Sequence, residues 1–217
     1  MKHPVSRDLY AYWDALRAGR TAPERADVDP AAIRHLLAYT FVLEVESAAL
    51  SRSREIVFRL SGTRLNALFQ RELKGHSFER IWARPNAALI DVVLDGVLDD
   101  RSAVVAAARG APPGESPIDL ELLLLPLRHH GRTHARILGS LASAAIPSWM
   151  GLIPMAPLDL RCFRTLSGRP PAVDAPRHTP ARGVAPERVP ARGAVQVGRF
   201  KVYQGGRGPE APLGAGR

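Results

Sequence analysis

The chain has 217 residues, 46% of them apolar and 24% charged, which places it among globular proteins able to bury one sizeable core or two small ones. A lone cysteine, Cys162, excludes an internal disulfide and a cysteine-based zinc site and fits a reducing, cytoplasmic compartment. Lys and Arg number 30 against 21 Asp and Glu, a formal net charge of +9, but the charge is uneven: residues 169–217 carry nine Lys/Arg against Asp174, Glu187 and Glu210, a net +6 that leaves +3 for the body. An electrostatic partner would meet the tail, so nucleic acid is not the expected partner of the folded part.

The opening MKHPVSRDLYAYW scatters charge through a stretch without an apolar run of signal-peptide length, so the mature chain is expected to begin at Met1. Residues 6–20 place Leu9, Tyr12, Trp13 and Leu16 at helical spacing, with Ser6 as N-cap and Gly19 as stop. Leu9, Tyr10, Trp13 and Leu16 are expected to cover a sheet face, either of the same chain or of a second copy in a homodimer. Asp29 and Pro30 then start a short helix, AAIRHLLAY, with Ile33, Leu36 and Leu37 on one face. Residues 1–38 thus read as an N-terminal helical extension.

From Tyr39 the period changes to YTFVLEVE and EIVFRLSG, two strands expected to pair antiparallel across a polar connection. A helix follows in TRLNALFQRELKG, with Leu65, Leu68 and Phe69 on one side and Gly75 at its end, then a helical turn in HSFERIWA. A longer helix spans about residues 84–98, striped by Leu89, Ile90, Val93, Leu94 and Val97. Three more strands are expected at 102–108, 118–129 and 133–143, the last two joined at His130, Gly131 and Arg132. Residues 137–158 lack charge over a length that could span a bilayer, but Pro147, Pro154 and Pro157 argue for a strand plus a buried turn-rich segment and against a membrane span. The order of strands, helices and strands implies an α+β fold, an antiparallel five-stranded sheet with helices on one face, over residues 39–166. Residues 167–217, rich in Pro, Ala, Arg and Gly, are expected to be a largely disordered basic tail. Within it VQVGRFKVYQGG alternates like a strand that docks on a sheet edge, binds a partner or stays disordered.

The phrases LYAYWDALRAGRTAPERADVDPAAIRHLLAYTFVLEVE, FRLSGTRLNALFQRELKGHSF and LLLLPLRHHGRTHARILGSL resemble a family of bacterial single-domain PAS proteins over roughly residues 6–166. The resemblance implies a five-stranded antiparallel sheet with helices flanking a central cavity, preceded by an N-terminal helix. It also implies sensing or adaptor work in signalling, by binding a small ligand or cofactor or by pairing with itself or other signalling proteins. Within 217 residues there is no room for an output domain, so the signal is expected to leave through contacts of the domain or its tail.

Such a cavity would be lined by Phe41, Phe58, Leu60, Leu65, Leu68, Phe69, Phe78, Trp82, Leu89, Val93, Leu122 and Leu124, which equally suit a filled core. Arg59, Thr63, Arg64, Asn66 and His76 are the polar groups nearby. Arg64 would pair an anionic ligand group or join a structural ion pair. No cofactor is assigned: the long helix has no haem-ligating His, and Cys162 lies after the last expected strand, away from the helices where a flavin-reactive cysteine would sit. His129, His130 and His134 share their hairpin with Arg128, Arg132 and Arg136, so a metal is not expected. Serine-nucleophile and phosphate-loop motifs are absent, and Asp91, Asp95, Asp99 and Asp100 read as a solvated helix face, so no catalysis is expected. The alternative is nucleic-acid or anionic-surface binding through the Arg-rich tail.

Overall fold

The computed structural model describes residues 1–47, 54–129, 132–166, 195–197 and 200–205. The elements are α1 (Pro4–Arg17), β1 (Thr40–Ser47), β2 (Arg54–Ser61), α2 (Thr63–Phe69), α3 (Ala87–Leu98), β3 (Ala103–Gly110), β4 (Ile118–His129), β5 (Arg132–Ser143), β6 (Asp159–Leu166), β7 (Val195–Val197) and β8 (Phe200–Gly205). Short 310 turns lie at Arg25–Asp27, Leu37–Tyr39, Phe78–Ile81 and Arg84–Asn86. The strands form one sheet in the order β2-β1-β5-β4-β3-β6-β8-β7. Every pairing is antiparallel except β6 with β8.

The near-continuous apolar run of β4 explains the layering. Leu120, Leu122 and Leu124 join the cluster under α2 and α3, while Leu123, Leu125 and Leu127 join a second cluster with α1 and residues 22–36. A strand that alternates apolar on both faces needs cover on both. The inner face takes the helices after β2, and the outer face takes the N-terminal segment. Beyond the last β3 pairing at Leu124, the carbonyl of Pro126 accepts from the Trp13 indole at 2.9 Å, which fixes α1 across β4.

Several expectations change in detail. His3, not Ser6, caps α1: its Nδ1 accepts from the Val5 amide at 3.2 Å, and Ser6 is buried inside the helix. The helix expected after Pro30 is a run of turns. Asp29 accepts from the Ala31 amide at 2.8 Å, but the chain then closes through i to i+3 bonds such as Leu36 to Ile33 at 2.8 Å. The sheet is not limited to five strands, because Asp159–Leu166 pairs with β3 as a sixth. Cys162 is therefore an exposed residue on β6 and does not follow the last strand. In the tail, β7 and β8 pair with each other and β8 runs beside β6, which is the sheet-edge docking named above as one alternative for VQVGRFKVYQGG. Residues 167–194 and 206–217 lie outside the described residues. Among the described residues, no helix is long and apolar enough to cross a membrane.

The N-terminus is tied to β4 by a carboxylate. Glu121 accepts from the amides of Lys2 at 2.7 Å and His3 at 3.1 Å, and His3 Nε2 lies 3.1 Å from the Ser143 carbonyl. Burial pushes the Glu121 carboxyl up, but the amide bonds outweigh it and hold the group below its ordinary value of 4.5. A depressed folded-state pKa contributes stability above the unfolded value and loses it as pH falls through the folded one. Denaturant unfolding followed from pH 6 downward should therefore show a stability loss below about pH 4.5 that is reduced in Glu121→Gln. An identical acid limb in wild type and variant would remove this carboxylate from the account.

Phe41 lies over Gly139 on β5, and a Cβ at 139 would be driven into its ring and to 2.9 Å from the Leu123 carbonyl. Gly139→Ala should cost about 1–3 kcal/mol by overpacking, read as a lowered urea midpoint with an unchanged slope.

Candidate functional site

Most residues expected around a central cavity pack against one another. Phe41, Phe58, Leu65, Leu68, Phe69, Phe78, Trp82, Leu89, Val93, Leu122 and Leu124 are all buried in the inner cluster. Phe58 and Phe78 stand 5.5 and 6.0 Å from Phe41, and Trp82 stands 5.8 Å from Phe78, spacings at which aromatic rings fill volume against each other.

Leu60 departs from this group. In β2, Phe58 faces Leu43 and Leu60 faces Val42, so Arg59 is an extra residue that breaks the alternation. Such a bulge moves the following side chain to the other face. Leu60 is accordingly on the outer face and 50% exposed.

The polar candidates also separate. The Arg64 guanidinium lies over the Tyr39 ring, 5.2 Å from its centroid. Asn66 Oδ1 accepts from Ser61 Oγ at 2.7 Å and from the Leu73 amide at 3.3 Å, a structural role in closing α2. His76 Nδ1 is 3.3 Å from the Lys74 carbonyl. On α1, Leu9 and Trp13 are buried on the chain's own sheet, with Tyr10 and Leu16 packed partly against them. His130 lies outside the described residues, as does the side chain of His134.

A pocket forms on the outer face, between residues 25–38 and strands β1 and β2. It measures about 420 Å³ and is walled chiefly by Val28, Ile33, Leu37, Val42, Leu60, Leu127 and Leu138, with Thr40 and Thr63 among its few polar groups. That volume lies within the ~300–1,000 Å³ of small-molecule sites. Gly62 allows the roof to sit low, because a Cβ there would collide with the carbonyls of Leu37 and Ala38.

Beside it, and sharing Arg25, Val42 and Leu60, a second cavity of about 370 Å³ is lined further by Arg59, Lys74, His129 and Arg136. Arg136 donates to Glu44 at 2.7 Å, and Arg59 lies 3.6 Å from the other oxygen of the same carboxylate. The outer site is thus apolar at one end and basic at the other. Of the residues expected from sequence, Phe41, Leu60, Thr63 and Arg59 reach it. Arg25, Ile33, Lys74 and Arg136 were missed, and the phrase APERADVDP, which builds the roof around Arg25 and Val28, was the available signal.

No curated protein matches the chain. A solved structure of an RsLOV variant aligns with 16% identity and a TM-score of 0.37, covering 54% of this chain and 68% of that one, a likeness too low to carry argument. A family model described as PAS domain matches residues 1–142, which include α1, the outer roof and strands β1 to β4 with most of β5. The chain belongs to the PAS domain family.

Proposed function

We propose that this PAS protein is a cytoplasmic sensor or adaptor of bacterial signalling that binds a small ligand on the outer face of its sheet and presents the outcome to a protein partner, without a catalytic step. The observation that carries this reading is the position of the pocket. The inner cluster is filled by aromatic and leucine side chains, whereas an apolar volume of about 420 Å³ opens beneath residues 25–38. A ligand there touches the N-terminal segment directly, so occupancy and the shape of the outer surface are coupled. The partner in this reading is another signalling protein or a second copy of the chain. A second copy would dock outside the stripe of α1, because Leu9 and Trp13 are already spent on the chain's own sheet.

Native mass spectrometry of the full chain beside a denatured control provides the test. The expected result is a small-molecule mass that is present natively, lost on denaturation, and absent from Ala38→Trp, which fills the pocket from its half-buried rim. The same spectra report self-association. A bound mass retained in Ala38→Trp would move the ligand elsewhere, and a ligand-free monomer would overturn the reading.

A further inference from the structure

We infer that the outer site takes a single-chain anionic amphiphile of the fatty-carboxylate class, its tail beneath residues 28–38 and its head among Arg25, Arg59, Lys74 and Arg136. The inference rests on the outer pocket being the ligand site and adds the chemistry of the ligand. The two cavities share Arg25, Val42 and Leu60, so the apolar floor runs into the basic end over common side chains.

Those four cations come from four separate parts of the chain: the 310 turn Arg25–Asp27, β2, the turn after α2, and β5. Among the described residues no acid lines the cavity they enclose, and Glu44, beside it, is already held by Arg136 and Arg59. Arg136 also keeps its Nε buried without a hydrogen-bond acceptor among the described residues. A buried guanidinium N–H calls for an acceptor, and a carboxylate supplies two oxygens.

The shape narrows the choice further. A neutral apolar ligand would fill the pocket but bring no acceptor to the Arg136 Nε and no charge to the four cations, of which Glu44 already pairs with two. A small free anion would do the reverse. An alkyl chain ending in a carboxylate meets both ends, and the pocket volume suits one chain.

Isothermal titration of the full chain with decanoate below its micellar range, decanol below its solubility limit, and acetate tests the assignment. Decanoate should bind at one site, with decanol and acetate weaker by about tenfold or more, the difference one charge-assisted contact makes. Arg25→Gln, Arg59→Gln and Lys74→Gln combined should bring decanoate down to decanol. Arg7→Gln, Arg84→Gln and Arg161→Gln combined, an equal change of charge at exposed positions elsewhere, should leave decanoate unchanged. Leu60→Asp, at an exposed position on the shared floor, should abolish binding with the fold intact by circular dichroism.

Equal affinity for decanoate and decanol, or equal loss in the two triple variants, would overturn the head-group assignment while leaving an outer ligand site. Failure of all three probes on a protein that carries a co-purified molecule would overturn the assignment alone. Failure of the probes together with no co-purified mass would overturn the wider reading as well.

Discussion

The structure depends on β4 being apolar on both faces. Leu122, Leu123, Leu124, Leu125 and Leu127 are each 0% exposed, and burial of one leucine is worth about 1.5–3 kcal/mol. Stripping either cover from this strand would expose three leucines on that side, a loss comparable with the whole stability of many domains. The N-terminal segment is therefore half of the core. Trp13 on Pro126 and Glu121 on the first amides hold it where that burial requires.

The two covers are built differently, and the pocket follows from the difference. On the inner face, α2 and α3 present regular stripes whose side chains interlock with Phe41, Phe58 and Leu124. On the outer face, α1 presents such a stripe over β4 and part of β5, but the chain then continues as turns and 310 segments through residues 20–39. A backbone closed by i to i+3 bonds offers no continuous apolar stripe to a flat sheet. Beneath it, around Val42, Leu60 and Leu138, volume is left unfilled. The bulge at Arg59 enlarges the effect by turning Leu60 onto this face and placing a cation at the junction with the basic end.

The same contrast governs what was legible in the sequence. Alternation in FVLEV and IVFRL, the helical spacing of Leu89, Ile90, Val93 and Leu94, and the doubly apolar β4 are period signals, and each produced the element it announced. β6 was missed because DLRCFRTL alternates weakly: Leu160 and Phe163 are buried, but two exposed residues, Arg161 and Cys162, stand between them, and the strand follows a long uncharged, proline-rich run. The facing of Leu60 was misread because one inserted residue in a pairing leaves no mark on the pattern of a single strand. The pocket itself was illegible for a related reason. Arg25, Lys74 and Arg136 belong to segments whose meeting is decided by tertiary packing, and no local period joins them.

A sensor needs an element whose equilibrium its ligand can bias, and the two covers are unequal candidates. The inner layer is close-packed around four aromatic rings and resists displacement, because any shift there opens voids. The roof over the outer pocket is anchored by Val28, Ile33 and Leu36, and around these anchors it is closed by polar pairs at or near the surface: Arg20 with Asp27 at 2.9 Å, Arg128 with Glu24 at 3.2 Å, and the Asp29 amide on the Tyr12 hydroxyl at 2.8 Å. Exposed ion pairs of this kind contribute about 0–1 kcal/mol each. A ligand binding only the closed roof at a hundred times its Kd would add about 2.7 kcal/mol, more than any one of those pairs supplies. Occupancy of the outer pocket would thus change the roof before it changed the core.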